Sequence, residues 1–199
     1  MKLSYLFLAV MFMAISAHAD ERVSVLMVTS EGEIEIELYT SRAPITAGNF
    51  LKLVEDGDMN RGSFYRVVSY ENDNGAPKIE VIQGGRGDEM EGVFDMIDHE
   101  STAQTGILHT DGVISMARGG LGTASSEFFI CIGDQPGLDY GQTRNADGQG
   151  FAAFGKVTRG MDVVRAIQGL PADANSESEY TKGQILDEPA VIETVARIE

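Results

Sequence analysis

The most informative stretch of the sequence is Ser115-Met116-Ala117-Arg118-Gly119-Gly120-Leu121-Gly122-Thr123-Ala124-Ser125-Ser126-Glu127-Phe128-Phe129-Ile130. It begins with an apolar run and ends with residues that favour β-strands, and small residues separate the two ends. The pattern predicts two strands joined by a loop. Leu121 is the only bulky side chain of that loop, so the loop backbone can lie close to a bound ligand.

The N-terminal residues 1–19 have the layout of a secretory signal peptide. Lys2 is their only charged residue, Leu3 to Ile15 is almost wholly apolar, and Ala17-His18-Ala19 places small residues at the two positions that a signal peptidase reads. The apolar run is shorter than the roughly 20 residues of a transmembrane helix. We therefore predict cleavage after Ala19 and export of one domain, residues 20–199, to a bacterial periplasm.

The chain is strongly acidic. It has 31 Asp and Glu residues against 15 Lys and Arg residues, which gives a formal net charge of −16. Such a surface repels nucleic acid and anionic lipid, so we expect no nucleic-acid or membrane partner. The charge favours neutral or basic peptide partners, but a role in solubility alone is the simpler explanation.

Disulfide bonds within the chain are excluded. Cys131 is the only cysteine, and it lies in an apolar strand pattern where a buried, inert thiol is expected.

Strand patterns dominate the chain between Val23 and Ile198. The predicted strands are Val23–Thr29, Glu33–Leu38, Phe64–Val68, Ile79–Gln83, Val113–Ala117, Phe128–Ile132, Phe151–Val157 and Ala190–Ile198. Ser30-Glu31-Gly32 joins the first two as a hairpin, and the polar stretch Ser69–Lys78 is a loop. Many short strands of this kind predict a mainly β fold, a closed eight-stranded antiparallel β-barrel.

Two helices are predicted at the open ends of the barrel. The first begins at Pro44, and an apolar face follows from residues at helical spacing, namely Ala47, Phe50, Leu51 and Val54. The second covers Asp162–Gln168 and places Val163, Val164 and Ile167 on one side.

Five motifs in order along the chain carry a resemblance to a known family. They are Ala43–Phe50, Phe64–Val68, Gln83-Gly84-Gly85, the stretch 115–130, and Phe154–Val157 followed by Gly160–Val164. Together they resemble the cyclophilins, which are peptidyl-prolyl cis-trans isomerases, from about Val28 to Ile198. The resemblance implies the same barrel, no cofactor, and an isomerase that acts on proline bonds in unfolded exported proteins.

The chemistry of proline isomerisation explains which residue types are needed. The amide bond has a rotation barrier of about 18–20 kcal/mol, and no covalent bond has to break. A catalyst must bind the twisted amide more tightly than the planar forms, so neither a nucleophile nor a metal is required. A donor aimed at the pyramidal nitrogen weakens the double-bond character, and arginine suits this task because it is always charged and its donors are rigidly placed.

The resemblance implies two catalytic residues, Arg66 as the donor and Gln83 as the residue that positions the substrate backbone. The structural alternatives are a surface salt bridge for Arg66 and, for Gln83, a strand-end amide bonded to a turn. Strict alternation places Arg66 with Phe64 and Val68, but both faces of that strand are apolar, so its direction stays open.

The resemblance also implies a substrate-binding surface. Its residues are Val81, Ala117, Arg118, Phe129, Leu138 and Phe151. The backbone of Ala117 and Arg118 is expected to pair with an extended peptide, and Phe129 to form the proline slot. Core packing is the alternative for Phe129, because that is the commoner fate of a phenylalanine in a strand.

Four positions depart from the family pattern. Phe151 stands for the pocket histidine, and Glu127 for a glutamine. An aromatic pocket residue falls on Ile79 or Glu80, and the sequence leaves this choice open. Gly137 stands for the tryptophan that binds cyclosporin, so weak or absent cyclosporin binding is expected.

The sequence is compatible with two other functions. A peptide-binding chaperone or scaffold on the same fold, with little turnover, is the main alternative, and a barrel that binds a small molecule inside is another. His99 and His109 match no metal-ligand spacing, so we expect no metal site. We expect the protein to act as a monomer.

Overall fold

The computed structural model describes residues 22–87, 92–176 and 178–199, and the predicted signal peptide lies outside them. The eight β-strands are β1 (Arg22–Thr29), β2 (Gly32–Tyr39), β3 (Ser63–Val68), β4 (Val81–Gly85), β5 (Val113–Met116), β6 (Phe128–Cys131), β7 (Ala152–Arg159) and β8 (Ile185–Ile198). The helices are α1 (Pro44–Glu55), α2 (Thr102–Thr105) and α3 (Met161–Gln168), and Pro136–Leu138 forms a 3-10 turn.

The strands form a closed barrel in the order β1-β2-β7-β5-β6-β4-β3-β8, and every neighbouring pair is antiparallel. This confirms the predicted eight-stranded antiparallel barrel. Closure pairs every strand on both sides, so the sheet has no open edge. Among the described residues, no helix combines the length and the apolar character needed to cross a membrane.

Apolar side chains fill the interior of the barrel. Phe50 of α1 packs against Phe128 and Phe154, with ring centroids 5.5 and 5.2 Å apart, and Phe64 lies 5.6 Å from Phe128. All four rings are fully buried. The filled interior argues against a barrel that binds a small molecule inside.

Helix α1 begins without a side chain of its own to cap it. Ala43 precedes Pro44, and the buried carboxylate of Glu100 caps the helix from a distant loop. It accepts hydrogen bonds from the amides of Ile45 (3.2 Å) and Thr46 (2.7 Å) and from the Thr46 hydroxyl (2.7 Å). A carboxylate at this end of a helix satisfies free N–H groups and favours the helix dipole.

Some predicted boundaries were wrong. The last strand begins at Ile185 rather than Ala190, because the chain continues through Pro189 with an irregular register against β3. Strand β4 starts at Val81 rather than Ile79. The one-turn helix α2 was missed. On α1, Leu51 packs against the core but is only partly buried, and Leu53, which was not predicted, is buried.

Strand β3 carries a bulge that breaks its alternation. The register against β4 shifts between Phe64 and Arg66, so Tyr65 is the extra residue. Phe64 and Val67 therefore both belong to the interior core, whereas Val68 belongs to a separate apolar cluster. Arg66 faces that second cluster, so strict alternation was wrong to place it on the side of Phe64.

Candidate active site

A cavity of about 330 Å³ lies on the outer face of β3, β4 and β6. The structure brings all eight predicted site residues to its walls. They are Arg66, Val81, Gln83, Ala117, Arg118, Phe129, Leu138 and Phe151, and five further residues complete the lining, namely Ile79, Arg144, Asn145, Ala146 and Tyr180. Residues from distant parts of the sequence thus meet in one place, while their roles in binding and catalysis stay predictions.

The floor of the cavity is apolar. Val81, Phe129 and Leu138 are buried and belong to one cluster that is separate from the barrel core. The Phe129 ring packs perpendicular to Phe151 at 5.2 Å and parallel to His109 at 5.9 Å, so its orientation is fixed. An apolar recess with rigid walls suits the ring of a proline.

Of Ile79 and Glu80, the structure places Ile79 in the wall of the cavity. Ile79 is 7% exposed and belongs to the apolar floor, where it lines the cavity. Glu80 does not line it, and its carbonyl accepts a hydrogen bond from the Ile132 amide instead. An aliphatic side chain therefore forms this part of the pocket wall.

Arg66 and Gln83 face each other across neighbouring strands. They are register partners on β3 and β4, and Nη1 of Arg66 donates to Oε1 of Gln83 at 2.8 Å. Burial lowers the pKa of the Arg66 guanidinium, and the nearby Tyr180 hydroxyl opposes this effect. The group remains a cation at any pH of ordinary use, because arginine starts from so high a value.

A chain of hydrogen bonds fixes the Gln83 amide. Its Nε2 donates to the Tyr65 hydroxyl at 2.9 Å, and that hydroxyl donates to Oε2 of Glu127 at 2.6 Å. With Nε2 held in this way, Oε1 points to Arg66. Tyr65 was not among the predicted site residues, because the bulge that turns it towards Gln83 is not visible in the sequence.

Glu127, which departs from the family pattern, has a complete set of partners. Its Oε1 accepts from the amides of Arg86 (2.8 Å) and Gly87 (3.0 Å). Gly85 leaves the space for it, because a Cβ there would lie 2.5 Å from Oε1 and its φ is +148°. The carboxylate thus joins the end of β4 to the Tyr65 hydroxyl.

Ala117 and Arg118 form one wall of the cavity. The Ala117 amide donates to the Glu127 carbonyl at 2.8 Å. The carbonyl oxygen of Ala117 is therefore the backbone group of this residue that is left to accept a hydrogen bond from a bound peptide. The Arg118 side chain connects this wall to the segment 147–150, a contact that was not predicted from the sequence. It donates twice to the Gly150 carbonyl, at 2.9 and 2.7 Å, and twice to the Asp147 carboxylate, at 2.7 and 2.9 Å.

The loop Ser69–Lys78 contacts the wall of the cavity at Arg144. Its Asp73 forms a two-pronged ion pair with Arg144 at 2.7 and 2.9 Å, and both side chains are almost completely buried. Burial raises the pKa of Asp73, but hydrogen bonds from Arg144 and two backbone amides outweigh it, so the pKa lies below its ordinary value. The sequence offers no signal for this pair, because its members are far apart in the chain.

A buried serine, a buried histidine and a partly exposed aspartate lie beside the floor. His109 Nδ1 is 2.8 Å from Oδ1 of Asp139, and Nε2 is 3.0 Å from Oγ of Ser115. The order of atoms is that of a hydrolase triad. Ser115 is 0% exposed, however, so no substrate can reach its hydroxyl, and the group serves to hold His109 against Phe129.

Within residues 22–87, 92–176 and 178–199, no group of three His, Cys, Asp or Glu side chains is placed to hold a metal ion. Cys131 is buried, as predicted, and burial raises the pKa of its thiol.

Comparisons with known proteins assign the family. The family model "Cyclophilin type peptidyl-prolyl cis-trans isomerase/CLD" matches residues 24–188. A peptidyl-prolyl cis-trans isomerase of Acinetobacter baylyi is 37% identical over 158 residues, 79% of this chain and 78% of that protein. Peptidyl-prolyl cis-trans isomerase B of Escherichia coli is 33% identical over 146 residues, 71% of this chain and 82% of that protein.

Solved structures agree with this assignment at the level of the fold. A cyclophilin type isomerase of Cryptosporidium parvum superposes with a TM-score of 0.66 at 21% identity, covering 90% of this chain and 99% of that one. Another structure of that protein was determined in the presence of the dipeptide Ala-Pro. The chain therefore belongs to the cyclophilin-type peptidyl-prolyl cis-trans isomerases, a family of enzymes that act on the bond before proline.

We predict that the Arg118–Asp147 pair contributes to stability only above acid pH. Hydrogen bonds from Arg118 and from the Gln149 amide lower the pKa of Asp147 to about 2. A carboxyl group whose pKa is lower in the folded state stabilises the fold above its ordinary pKa of about 3.9 and loses this contribution as the pH falls towards the folded value. Asp147→Asn should therefore lower the melting temperature at pH 6, and the difference from wild type should shrink between pH 4 and 2.

Thermal unfolding of both proteins across this pH range measures the effect. Asp95→Asn, at another exposed aspartate, is the control. A difference between Asp147→Asn and wild type that stays constant from pH 6 to pH 2 would contradict the prediction.

Proposed function

We propose that the protein accelerates rotation about X-Pro bonds in exported proteins, with Arg66 as the donor to the proline nitrogen and Gln83 as the residue that holds the substrate backbone. One observation carries this proposal. The Arg66 guanidinium, bonded to Gln83 at 2.8 Å, stands at the edge of an apolar floor that includes Val81 and Phe129.

The required chemistry fits this arrangement. As the amide twists, resonance is lost and the nitrogen gains a lone pair that can accept a hydrogen bond. A guanidinium N–H beside the proline ring binds the twisted form and not the planar one, and only such differential binding lowers the barrier. The apolar floor holds the ring while the acyl part rotates.

The substrate class follows from shape and charge. The cavity is open at its rim, and the Ala117 carbonyl and the Gln83 side chain offer polar partners to an extended chain. Phe151 provides an apolar wall where the family has a histidine. Binding of the proline ring in this recess therefore depends more on the hydrophobic effect than it would beside a histidine. The net charge of −16 favours neutral or basic segments of unfolded proteins over acidic ones.

We predict that Arg66→Ala lowers the rate of cis-trans exchange of an Ala-Pro peptide at least tenfold. A tenfold loss corresponds to about 1.4 kcal/mol of transition-state stabilisation, which is in the range of one charged hydrogen bond. Exchange spectroscopy or a protease-coupled assay gives the rate. Arg159→Ala is the matched control, because Arg159 is an exposed strand arginine that pairs only with surface glutamates in the described residues.

Three results are distinguishable. Loss with Arg66→Ala and none with Arg159→Ala supports the proposal. Equal rates for Arg66→Ala and wild type would refute the role of Arg66. A wild-type protein that binds the peptide but does not accelerate exchange would instead favour the peptide-binding chaperone or scaffold on the same fold.

Export is the second part of the proposal, and the sequence of residues 1–19 supports it. When the full chain is expressed in a bacterium, we expect the protein in the periplasmic fraction to begin at Asp20. Intact-mass measurement of the purified protein checks this. Recovery of the uncleaved chain from the cytoplasm alone would refute it.

Cyclosporin is expected to inhibit the protein weakly or not at all. Gly137 stands where the family has the tryptophan that binds this ligand, and a Cβ at residue 137 would lie 2.6 Å from Cγ of Pro77. The loop Ser69–Lys78 thus occupies the space into which a larger side chain would have to extend. Titration of cyclosporin into the Ala-Pro assay provides the measurement, and nanomolar inhibition would show the expectation to be wrong.

A further inference from the structure

Arg66 is held on a second side by Gln184, the residue just before β8. Nε and Nη2 of Arg66 donate to Oε1 of Gln184 at 2.9 and 2.6 Å. Gln184 is 0% exposed. We propose that Gln184 is a positioning residue for Arg66 and that the loop Ser69–Lys78 holds it in place. This inference rests on the proposed function, because it assumes that Arg66 acts on the substrate.

The Gln184 amide is fixed at its other end. Nε2 donates to the main-chain carbonyl of Asn72 at 2.8 Å, so Oε1 is the atom left to face Arg66. The main-chain carbonyl of Gln184 also accepts from the Val67 amide at 2.8 Å, which ties the residue to β3 directly beside Arg66. Both the side chain and the backbone of Gln184 are therefore fixed relative to the strand that carries the guanidinium.

Two neutral amides thus clamp the guanidinium. A guanidinium has five N–H donors. Gln83 accepts one hydrogen bond from Nη1, and Gln184 accepts one from Nε and one from Nη2. One N–H on each terminal nitrogen is left over for other partners, including a substrate. Since neither amide carries a charge, the clamp fixes the orientation of Arg66 without cancelling its positive charge.

The loop Ser69–Lys78 supports this clamp through Asn72. The Asn72 side chain accepts from the Ser69 amide at 2.7 Å and donates to the Gly183 carbonyl at 2.9 Å, so it joins the loop to the residue before Gln184. The ion pair of Asp73 with Arg144 anchors the same loop.

Tyr180 closes the outer side of the clamp. The Arg66 guanidinium lies 5.3 Å from the centre of the Tyr180 ring, and that of Arg144 lies 5.5 Å from it. The two cations thus share one aromatic ring, whose hydroxyl also accepts from Nη2 of Arg144 at 2.8 Å. Contacts therefore lead from the loop to Arg66 through both Gln184 and Tyr180.

The expected consequence concerns turnover rather than binding. Without Gln184 the guanidinium keeps Gln83 as one partner but can swing about its long side chain. A donor displaced by about 1 Å can cost up to a hundredfold in rate. The apolar floor that binds the proline ring would be unchanged, because it does not include Gln184.

The test replaces Gln184 by methionine, which keeps the length of the side chain but removes the acceptor. We expect Gln184→Met to lower kcat for an Ala-Pro peptide at least tenfold while KM stays within about twofold. Gln168→Ala is the matched control. Gln168 also supports β3, since its Nε2 donates to the Val68 carbonyl at 3.0 Å, but it bonds the backbone rather than the Arg66 side chain.

A double mutant shows whether Gln184 acts through Arg66. In the background of Arg66→Ala, Gln184→Met should cause no further loss of rate, because the residue that it positions is gone. Independent losses that multiply would overturn the inference, as would equal losses with Gln184→Met and Gln168→Ala. Full activity of Gln184→Met alongside an inactive Arg66→Ala would overturn it and leave the proposed function intact. An active Arg66→Ala would instead refute the proposed function.

A measurement on the wild-type protein covers the case in which Gln184→Met does not fold. The Arg66 Nε–H should give a resolved proton resonance that exchanges slowly with water, because it donates to a buried acceptor. Rapid exchange of this proton in the wild type would overturn the inference.

Discussion

The bulge in β3 is the constraint on which the rest of the site depends. Tyr65 is the extra residue between Phe64 and Arg66, and its insertion lets Phe64 and Val67 both enter the core. A regular strand would put Arg66 on the same face as Phe64, and a cation among packed phenylalanines would cost several kcal/mol. The bulge removes this conflict and also turns the Tyr65 hydroxyl towards Gln83. One extra residue thus separates the core from the site and supplies part of the site's support.

Regular elements were the part of the structure that the sequence could predict. In β6, alternation correctly places Phe128 and Phe129 on opposite faces, because the strand is short and has no bulge, and the family resemblance correctly assigns Phe129 to the pocket side. The choice between Ile79 and Glu80 as the pocket residue stayed open, because the inserted loop Ser69–Lys78 makes the alignment of the residues after it ambiguous. Gln184 could not be found at all, because it lies 118 positions from Arg66 and follows a stretch without periodicity. Such contacts depend on barrel closure, which brings the start of β8 beside β3.

The departures from the family pattern have physical compensation in this chain. Glu127 places a carboxylate where an amide is usual, and two backbone amides and the Tyr65 hydroxyl donate to it. Gly137 gives up a large side chain, and Pro77 from the loop Ser69–Lys78 packs against it. The loop and the glycine therefore belong together, because a side chain at residue 137 would collide with Pro77.

Two constellations in this protein show that accessibility decides what a set of side chains can do. Ser115, His109 and Asp139 have the hydrogen bonds of a nucleophilic triad, but the serine is sealed under Phe129 and can only support that ring. Arg66 has simpler chemistry and borders an open cavity. Isomerisation breaks no covalent bond, so a rigidly held donor and an apolar recess suffice, and the protein has no need of the nucleophile. Ser115 and Asp139 hold His109, and His109 packs parallel to the Phe129 ring, which gives the floor of the recess a fixed wall.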